Sequence, residues 1–360
     1  MIELLENCVR IPSLSGQEQA CAEFLVKEMQ ARGFDRAFVD ESGSAVGIIG
    51  NSSRQIVLMG HIDTVSGDVP VRYEGEGADR KLYGRGTVDA KGPFCAFVLA
   101  AEMAKSSMVN DEWSIVVIGA TEEEAASSRG ARHAVDLYAP ELCVIGEPSG
   151  SDGITLGYKG RLLVKAHFEQ GVVHTSRPEP TAGEKAVNLW NWAKQFADTY
   201  NADKPKMFDQ IMPSLREIKS GGNGLREWCH ILLGLRLPVE YGPDQVQVAF
   251  EAQFDAMGAD EGCGLEFWGP EIAFKSSRDT VLARAFVDAI RAEKLRPAFK
   301  HKSGTADFNI AGPAWNCPIV AYGPGDSDLD HTPHEHVEVA EFERGVRVLT
   351  RVLQSVMMLN

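Results

Sequence analysis

Four short apolar runs of the sequence each end in glycine, and metal-binding residue types follow each of them closely. The runs end at Gly60, Gly119, Gly146 and Gly323. The side chains behind them are His61 and Asp63; Glu122, Glu123 and Glu124; Glu147; and Asp326, Asp328, Asp330 and His331. Because ligands of open α/β sheets bind beyond the carboxyl ends of the strands, we expect these groups to meet. Loop composition alone does not produce four such strand ends, so the pattern predicts a metal site.

A fifth candidate, Asp89, lies in the glycine-rich turn 84–92, just before a predicted helix. Histidines and carboxylates without thiolates suit zinc, cobalt or manganese, and a carboxylate shared by two ions suits a paired-metal hydrolase. In that chemistry the cations activate a water and polarise the scissile carbonyl, while an unligated carboxylate carries the proton to the leaving amine. A further carboxylate would orient His61 through its other ring nitrogen, and Asp63 is the candidate.

Buried strands and amphipathic helices alternate over the first part of the chain. The predicted strands are 45–49, 56–59, 115–118 and 143–145, and the predicted helices are 17–32, 90–104 and 128–137. Ser15 and Glu18 have the spacing of a capping box at the start of the first helix. This alternation predicts an α/β sheet covered on both faces.

The pattern changes near Gly157. Strand, helix, strand, strand, helix and strand then follow, which is typical of a small antiparallel α+β domain with one solvated sheet face. The first pattern returns with the predicted helix 280–294, the apolar run 318–322 and the helix 340–359. We therefore expect one α/β domain, residues 1–156 and 272–360, interrupted by an inserted domain of residues 157–271.

Composition excludes several classes of protein. The 360 residues carry 36 Lys and Arg against 51 Asp and Glu, a net charge of −15, and this argues against nucleic acid as the main partner. No apolar run approaches the ~20 residues of a membrane helix, and no secretory signal is visible at Met1. The seven cysteines are scattered, without a C-x-x-C pair, and are predicted to be reduced. We expect a cytoplasmic enzyme that binds no membrane.

The motifs together resemble a known family. They are Met59–Val65, Tyr83–Gly92, the glutamate triplet, Gly146–Ser149 and the His331-Thr-Pro-x-Glu335 segment. In order and spacing they are similar to the zinc exopeptidase family of acetylornithine deacetylase, succinyl-diaminopimelate desuccinylase and aminoacylase. The resemblance implies a mixed sheet flanked by helices and an inserted ferredoxin-like lid and dimerisation domain. It also implies a homodimer and two divalent ions, zinc by expectation, with cobalt and manganese as alternatives.

The family's metal ligands carry over by position. His61, Asp89 and Glu147 would hold one ion, and Asp89, Glu124 and His331 would hold the other. His334 and His336 remain alternative ligands.

By position, the resemblance implies that Glu123 is the general base and that Asp63 orients His61. The chain has Glu122-Glu123-Glu124 where the family usually has Asp-Glu-Glu, and we align Glu122 with the aspartate because the distance to Gly130 then fits better. A slip of one residue would make Glu122 the base and Glu123 the ligand.

The insert carries three further candidates. His174 resembles the family histidine that helps to hold the tetrahedral oxyanion, often from the other subunit. Asn223 and Arg236 match positions where relatives bind a substrate carboxylate, for which the guanidinium fork of Arg236 is suited. For His174, an ordinary turn histidine is the alternative.

Within the family, segments 146–161 and 302–309 look most like the lysine-biosynthetic hydrolases that release lysine or ornithine from the γ-glutamyl end of the carrier protein LysW. The alternative is a deacylase of free N-acetyl-ornithine, N-acetyl-lysine or related N-acyl amino acids. A silent relative that only binds would lack a ligand or the base, and none is missing here.

The LysW carrier is itself acidic, so long-range repulsion counts against it as a partner. Residues 275–302, however, hold eight Lys or Arg against three acidic residues. This segment is a hypothetical docking face, with an ordinary solvated helix side as the alternative.

Overall fold

The structure is a computed structural model that describes residues 1–108, 112–174, 176, 178–258 and 262–358. The chain divides into two compact units. The first unit comprises Met1–Gly157, Lys275–His301 and Ala306–Asn360, and the second comprises Tyr158–Phe274 and Lys302–Thr305. The assignment of the inserted domain as a lid and dimerisation domain stays a prediction.

The elements follow the alternation expected from the sequence. The helices are α1 (Ile2–Val9), α2 (Gln19–Ala31), α3 (Lys91–Lys105), α4 (Arg129–Leu137), α5 (Ala182–Asn201), α6 (Pro243–Ala256), α7 (Val281–Ala292), α8 (Phe308–Trp315) and α9 (Val339–Met357). The strands are β1 (Arg36–Val39), β2 (Ala45–Ile49), β3 (Gln55–His61), β4 (Arg72–Glu74), β5 (Lys81–Tyr83), β6 (Ser114–Ala120), β7 (Leu142–Gly146), β8 (Gly153–Tyr158), β9 (Gly160–Gly171), β10 (Met212–Gly222), β11 (Arg226–Leu237), β12 (Gly264–Glu271), β13 (Phe274–Lys275), β14 (Ala298–Lys302), β15 (Ile319–Ala321) and β16 (His336–Glu338).

The first unit is built on a mixed sheet with the strand order β1-β2-β6-β3-β7-β15-β8. Strand β3 is parallel to β6 and β7, and β15 is parallel to β7, whereas β2 pairs antiparallel with both β1 and β6. Helices α2, α3, α4 and α7 pack against its strands. Strands β6 and β7 are buried along their whole length, as expected for central strands covered on both faces. The predicted fold class, a mixed sheet flanked by helices, is confirmed.

Glycine is required where two central strands end. A Cβ atom on Gly146 would lie 2.8 Å from the Phe97 ring of α3 and 3.0 Å from the Cα atom of Gly60. Any larger residue would force the ends of β3 and β7 apart. The glycines therefore let the strands that carry the candidate ligands approach each other closely beneath α3.

The second unit is an antiparallel sheet with the strand order β10-β11-β9-β12, covered on one face by α5 and α6. Alternate residues of β9 explain this packing. Leu162, Val164, Ala166 and Phe168 are buried in the core of the unit, whereas Lys165 and His167 between them are half-buried. The chain order of strands and helices here is the predicted one.

The predicted capping box at the start of α2 is wrong. The helix begins at Gln19, and its N-cap residue Glu18 makes no capping hydrogen bond with its side chain. The Ser15 hydroxyl instead donates to Asp63, and the Glu18 carboxylate accepts from the backbone of Glu122. Such side-chain hydrogen bonds to distant residues compete with local capping.

Two further expectations concern the cysteines and membranes. All seven cysteines are free thiols. Among the described residues, no helix combines the length and apolar character needed to cross a bilayer.

Candidate metal centre

The candidate residues lie at or beyond the carboxyl ends of four parallel strands, β3, β6, β7 and β15, at one edge of the sheet. His61 is the last residue of β3, the glutamate triplet follows β6, Glu147 follows β7, and His331 lies beyond β15. Asp89 comes from the turn that precedes α3. The edge of the sheet thus gathers side chains that are up to 270 residues apart in sequence, from His61 to His331 (331 − 61).

Asp89 lies between the two histidines. Its Oδ1 atom is 3.2 Å from His61 Nε2, and its Oδ2 atom is 2.9 Å from His331 Nε2. His331 Nε2 is also 2.8 Å from Glu124 Oε1, and His61 Nε2 is 4.0 Å from Glu147 Oε1. One carboxylate with an imidazole at each oxygen has the arrangement of a ligand shared by two ions.

These donors form a candidate metal site. Ligand atoms of His61, Asp89 and Glu124 all lie within 4.8 Å of one another, and among the described residues this is the group found to have such spacing. The set holds imidazole and carboxylate donors and no thiolate, which suits zinc, cobalt or manganese. The donor chemistry therefore fits divalent ions.

The site carries a large excess of negative charge on largely buried side chains. The carboxylates are Asp63, Asp89, Glu123, Glu124 and Glu147, and the imidazoles are His61 and His331. Burial raises the pKa of Glu123 well above its usual value, and the nearby carboxylate of Glu147 adds to the rise. Burial also raises the pKa of Asp89, but hydrogen bonds to His331 and His61 reverse this and hold it far below its usual value. Such a cluster favours bound cations.

His61 is oriented by the residue two positions further on. Its Nδ1 atom lies 2.9 Å from the backbone oxygen of Asp63 and 3.5 Å from the carboxylate oxygen Oδ1. A carbonyl oxygen can only accept, so Nδ1 carries a hydrogen and Nε2 is the candidate nitrogen for binding metal. Asp63 therefore lies closer to His61 through its backbone oxygen than through its carboxylate, which was the predicted contact.

The carboxylate of Asp63 also binds the glutamate turn. It accepts hydrogen bonds from the backbone N–H groups of Glu123 (3.1 Å) and Glu124 (3.0 Å) and from the Ser15 hydroxyl (2.7 Å). One buried aspartate therefore connects the His61 strand end to the turn that carries the predicted base.

Within the triplet, Glu122 points away from Glu123 and Glu124. Its carboxylate accepts a hydrogen bond from Ser127 at 2.6 Å, whereas Glu123 Oε2 lies 4.0 Å from His61 Nε2. Glu122 also has a φ of 59°, in the left-handed region. The geometry favours the register in which Glu123 is the base and Glu124 the ligand, and this register stays a proposal.

Glu335 has a supporting role that the sequence did not indicate. Its side chain is 1% exposed and accepts hydrogen bonds from the backbone N–H groups of Gly86, Val88 and Asp89, as well as from Arg85. It therefore holds the turn that presents Asp89. Its place in the His331-Thr-Pro-x-Glu335 motif was the only available signal, because a hydrogen bond across 246 residues leaves no local pattern.

The two alternative histidine ligands have other contacts. His336 Nδ1 lies 2.7 Å from the backbone oxygen of His334, and the His336 ring packs against Tyr83. His334 is exposed.

The three remaining candidates belong to the second unit. His174 is exposed, and its Nδ1 atom lies 2.8 Å from Ser176 Oγ. Asn223 uses its side-chain oxygen to accept from the backbone of Leu225 and Arg226 in the β10–β11 hairpin. Arg236 donates to the Thr305 hydroxyl at 3.0 Å. Their roles toward a substrate stay predictions.

A family model described as Peptidase family M20/M25/M40 matches residues 57–355. The chain belongs to this family. The predicted family, and with it a hydrolase that acts on amide bonds, is confirmed.

A LysW-lysine hydrolase of Deinococcus radiodurans is 44% identical over 355 residues, which cover 98% of this chain and 95% of that relative. A putative LysW-lysine/LysW-ornithine hydrolase of Thermococcus kodakarensis is 35% identical over 98% of this chain and 91% of its own length.

Solved structures of the family share the fold. An M20 family metallo-carboxypeptidase from Sulfolobus solfataricus superimposes with a TM-score of 0.78, covering 99% of both chains at 16% identity. A dinuclear metal-binding M20 peptidase from Bacillus subtilis superimposes with a TM-score of 0.67, covering 99% of this chain and 97% of that one at 12% identity. At these identities the likeness concerns the fold alone.

Proposed function

We propose that this enzyme hydrolyses the amide bond between the γ-glutamyl end of the LysW carrier protein and lysine or ornithine, in lysine or arginine biosynthesis. The observation that carries the proposal is the 44% identity to a LysW-lysine hydrolase over 98% of the chain. The site supports it, because each predicted ligand and the predicted base is present in the first unit.

Two divalent ions, expected to be zinc, would be held by His61, Asp89, Glu124, Glu147 and His331. When bound, they would polarise the scissile carbonyl and lower the pKa of the attacking water. Asp89 would be shared by the two ions, since each of its oxygens faces a different histidine.

Glu123 would carry the proton. Its Oε2 atom lies 4.0 Å from His61 Nε2, beside the ligands and outside the closest donor contacts. It would take a proton from the water as the carbonyl is attacked and deliver it to the departing α-amino group. Burial, which raises its pKa, favours this acceptance.

The second unit would bind the substrate. Arg236 has the fork geometry for a substrate carboxylate, with Asn223 as a further donor, and His174 would donate to the oxyanion. His174 is exposed and therefore accessible to a second copy of the chain.

A homodimer would form through the outer strand of the second unit. Strand β10 ends the sheet, and its Leu215 and Ile218 side chains are 40% and 45% exposed. An outer strand with exposed apolar side chains can pair with another chain. A second copy of this chain is the proposed partner.

The decisive experiment compares substrates. The purified enzyme, loaded with zinc or cobalt, is assayed on LysW carrying γ-glutamyl-lysine, on the ornithine form, and on free N-acetyl-lysine and N-acetyl-ornithine. We expect kcat/KM to be highest for a carrier-linked substrate. Preference for the free acyl amino acids would make the enzyme a deacylase with the same metal chemistry, and turnover of none would indicate a protein that only binds.

A further inference from the structure

We propose that Ser15 and Glu18 are positioning residues that set the orientation of Glu123, a role that rests on the proposed function of Glu123 as the base. Both residues lie in the segment between α1 and α2, in the first unit. Neither touches the candidate ligands, so Glu18 would act through the backbone of the glutamate turn and Ser15 through the carboxylate of Asp63.

The segment is fixed to the end of β3. Ser13 donates from its hydroxyl to the backbone oxygen of Ile62 at 2.7 Å and accepts at its own backbone oxygen from Thr64 N–H at 2.9 Å. Leu14 forms an isolated parallel bridge with Thr64. The residues that follow are therefore placed beside the metal-binding edge of the sheet.

Glu18 binds the first residue of the glutamate turn. Its carboxylate oxygen Oε1 accepts from the backbone N–H groups of Gly16 at 2.9 Å and Glu122 at 3.1 Å, and the residue is only 5% exposed. Glu122 has a φ of 59°, a left-handed conformation that residues with a Cβ atom adopt at an energetic cost. The hydrogen bond from the Glu122 N–H group to the buried Glu18 carboxylate offsets part of this cost.

Three successive backbone N–H groups consequently point to one side of the turn. Glu122 N–H donates to Glu18, while Glu123 N–H and Glu124 N–H donate to Asp63. Successive N–H groups that converge on anions around a left-handed residue form a nest. Here the anions are side chains of the protein itself.

The nest determines where the Glu123 and Glu124 side chains go. With their N–H groups held toward Glu18 and Asp63, these side chains extend toward the histidines, at 4.0 Å from His61 and 2.8 Å from His331. Ser15 adds a further restraint, since its hydroxyl donates to Asp63 Oδ2 at 2.7 Å. Removing the Glu18 acceptor would release Glu122 and allow the turn to rotate.

The test compares Glu18→Ala with Glu18→Gln, and Glu23→Ala is the control. Glu23 is an exposed residue of α2 whose carboxylate accepts a hydrogen bond from the Gln19 side chain at 3.0 Å. Glutamine retains an acceptor oxygen, whereas alanine removes it. We expect Glu18→Ala to lower kcat on the carrier-linked substrate by about tenfold or more with KM unchanged, and Glu18→Gln to restore most of the loss. Glu23→Ala should behave as wild type.

A second readout needs no substrate. The visible absorption spectrum of the cobalt-loaded enzyme reports ligand geometry, and we expect it to change in Glu18→Ala through displaced Glu124 and to remain like wild type in Glu18→Gln. If the wild type turned over none of the substrates, the proposed function would fail while this spectrum still decided the positioning role.

Two results would overturn the proposal. One is a Glu18→Ala variant with wild-type kcat and spectrum. The other is a Glu18→Gln variant that loses as much kcat as Glu18→Ala, because the acceptor oxygen would then not matter. If Glu18→Ala does not fold, Ser15→Ala replaces it, with an expected severalfold loss of kcat at unchanged KM; wild-type kcat in that variant would count against the role of Ser15.

Discussion

Asp89 and Glu123 illustrate how one cluster gives two carboxylates different properties. Asp89 has an imidazole at each oxygen, which holds its pKa far below the usual value, so it is an anion ready to bind cations. Glu123 is buried among other carboxylates, which raises its pKa, so it readily accepts a proton. Environments that separate the pKa values of neighbouring acids commonly divide the roles of ligand and base.

The first prediction concerns Glu123→Gln. The substitution removes the proton carrier but leaves the proposed ligands in place, so we expect kcat to fall by about 10²- to 10⁴-fold. Metal content, measured by elemental analysis, should remain that of the wild type. Glu122→Gln is the matched control, because that side chain binds Ser127. An active Glu123→Gln enzyme together with an inactive Glu122→Gln enzyme would move the base to Glu122.

The second prediction concerns protons released on metal binding. Without metal, hydrogen bonds to Asp89 and Glu124 raise the pKa of His331 to about 10. Burial lowers the pKa of His61, but Asp63 and Asp89 outweigh it and the net change is upward. His331 is then protonated near pH 8 and must lose its proton to bind metal, and the upward shift of the His61 pKa acts in the same direction. Loading should therefore release protons, and the apparent affinity should rise with pH.

Calorimetry in buffers of different ionisation enthalpy measures this release. The His331→Ala variant should bind one ion fewer and release about one proton fewer than the wild type. Heats independent of the buffer would contradict the protonated state. Normal metal content in His331→Ala would point to His334 or His336 as the ligand.

Sequence reasoning identified the residues that bear chemistry and Asp63, which orients His61, but missed other residues that hold them in place. His61, Asp89 and the triplet are visible because they follow apolar runs or lie in a glycine-rich turn. Glu335 and Glu18 act through hydrogen bonds to residues 246 and 104 positions away, which produce no periodic signal. Ser15 and Glu18 even have the spacing of a local capping box, which long-range contacts override.

At the scale of elements, periodicity identified the principal strands and helices, because each has a buried face. Helix α4 begins one residue after the start expected from the sequence, and β3 extends two residues beyond its expected end to include His61. Short strands such as β4 and β16 were not predicted. Three residues are too few to establish an alternating pattern.

The third prediction concerns the outer strand β10. Its Ile218 is 45% exposed although it faces the same side as buried Ile231, its partner on β11. If a second copy covers this strand, Ile218→Glu should dissociate the dimer, and light scattering should show a molecule of half the mass. Lys219→Glu, on the opposite face of the same strand, is the control and should remain dimeric. A wild-type protein that is monomeric at micromolar concentration would exclude the interface.

At the scale of the molecule, charge is unevenly distributed. The chain carries −15 overall, yet α7 and the segment after it expose Arg284, Arg291, Lys294, Arg296 and Lys300. Arg347 of α9, which packs beside α7, binds Glu293 at 2.9 Å and so leaves fewer acidic charges to offset this basic face. A local basic face on an acidic enzyme would favour an acidic partner, the chemistry expected of the LysW carrier.

The fourth prediction reverses three of these charges, at Arg291, Lys294 and Arg296. The control reverses Lys27, Arg36 and Lys206, which are exposed and lie outside the basic face, so both variants change the net charge by the same amount. We expect the first variant to lower kcat/KM for the carrier-linked substrate about tenfold or more at low salt, since steering contributes 10- to about 10³-fold to association rates. The control should lower it much less.

Salt and substrate size separate docking from indirect effects on the site. At about 1 M ionic strength the Debye length falls to about 3 Å, so the difference between the two variants should largely disappear. A short peptide ending in γ-glutamyl-lysine reaches the metal centre without the carrier's folded surface, and its turnover should be the same in both variants. Equal losses on the peptide and on the carrier would show that the substitutions disturb the site itself. Unchanged carrier turnover at low salt would exclude the face as a docking surface.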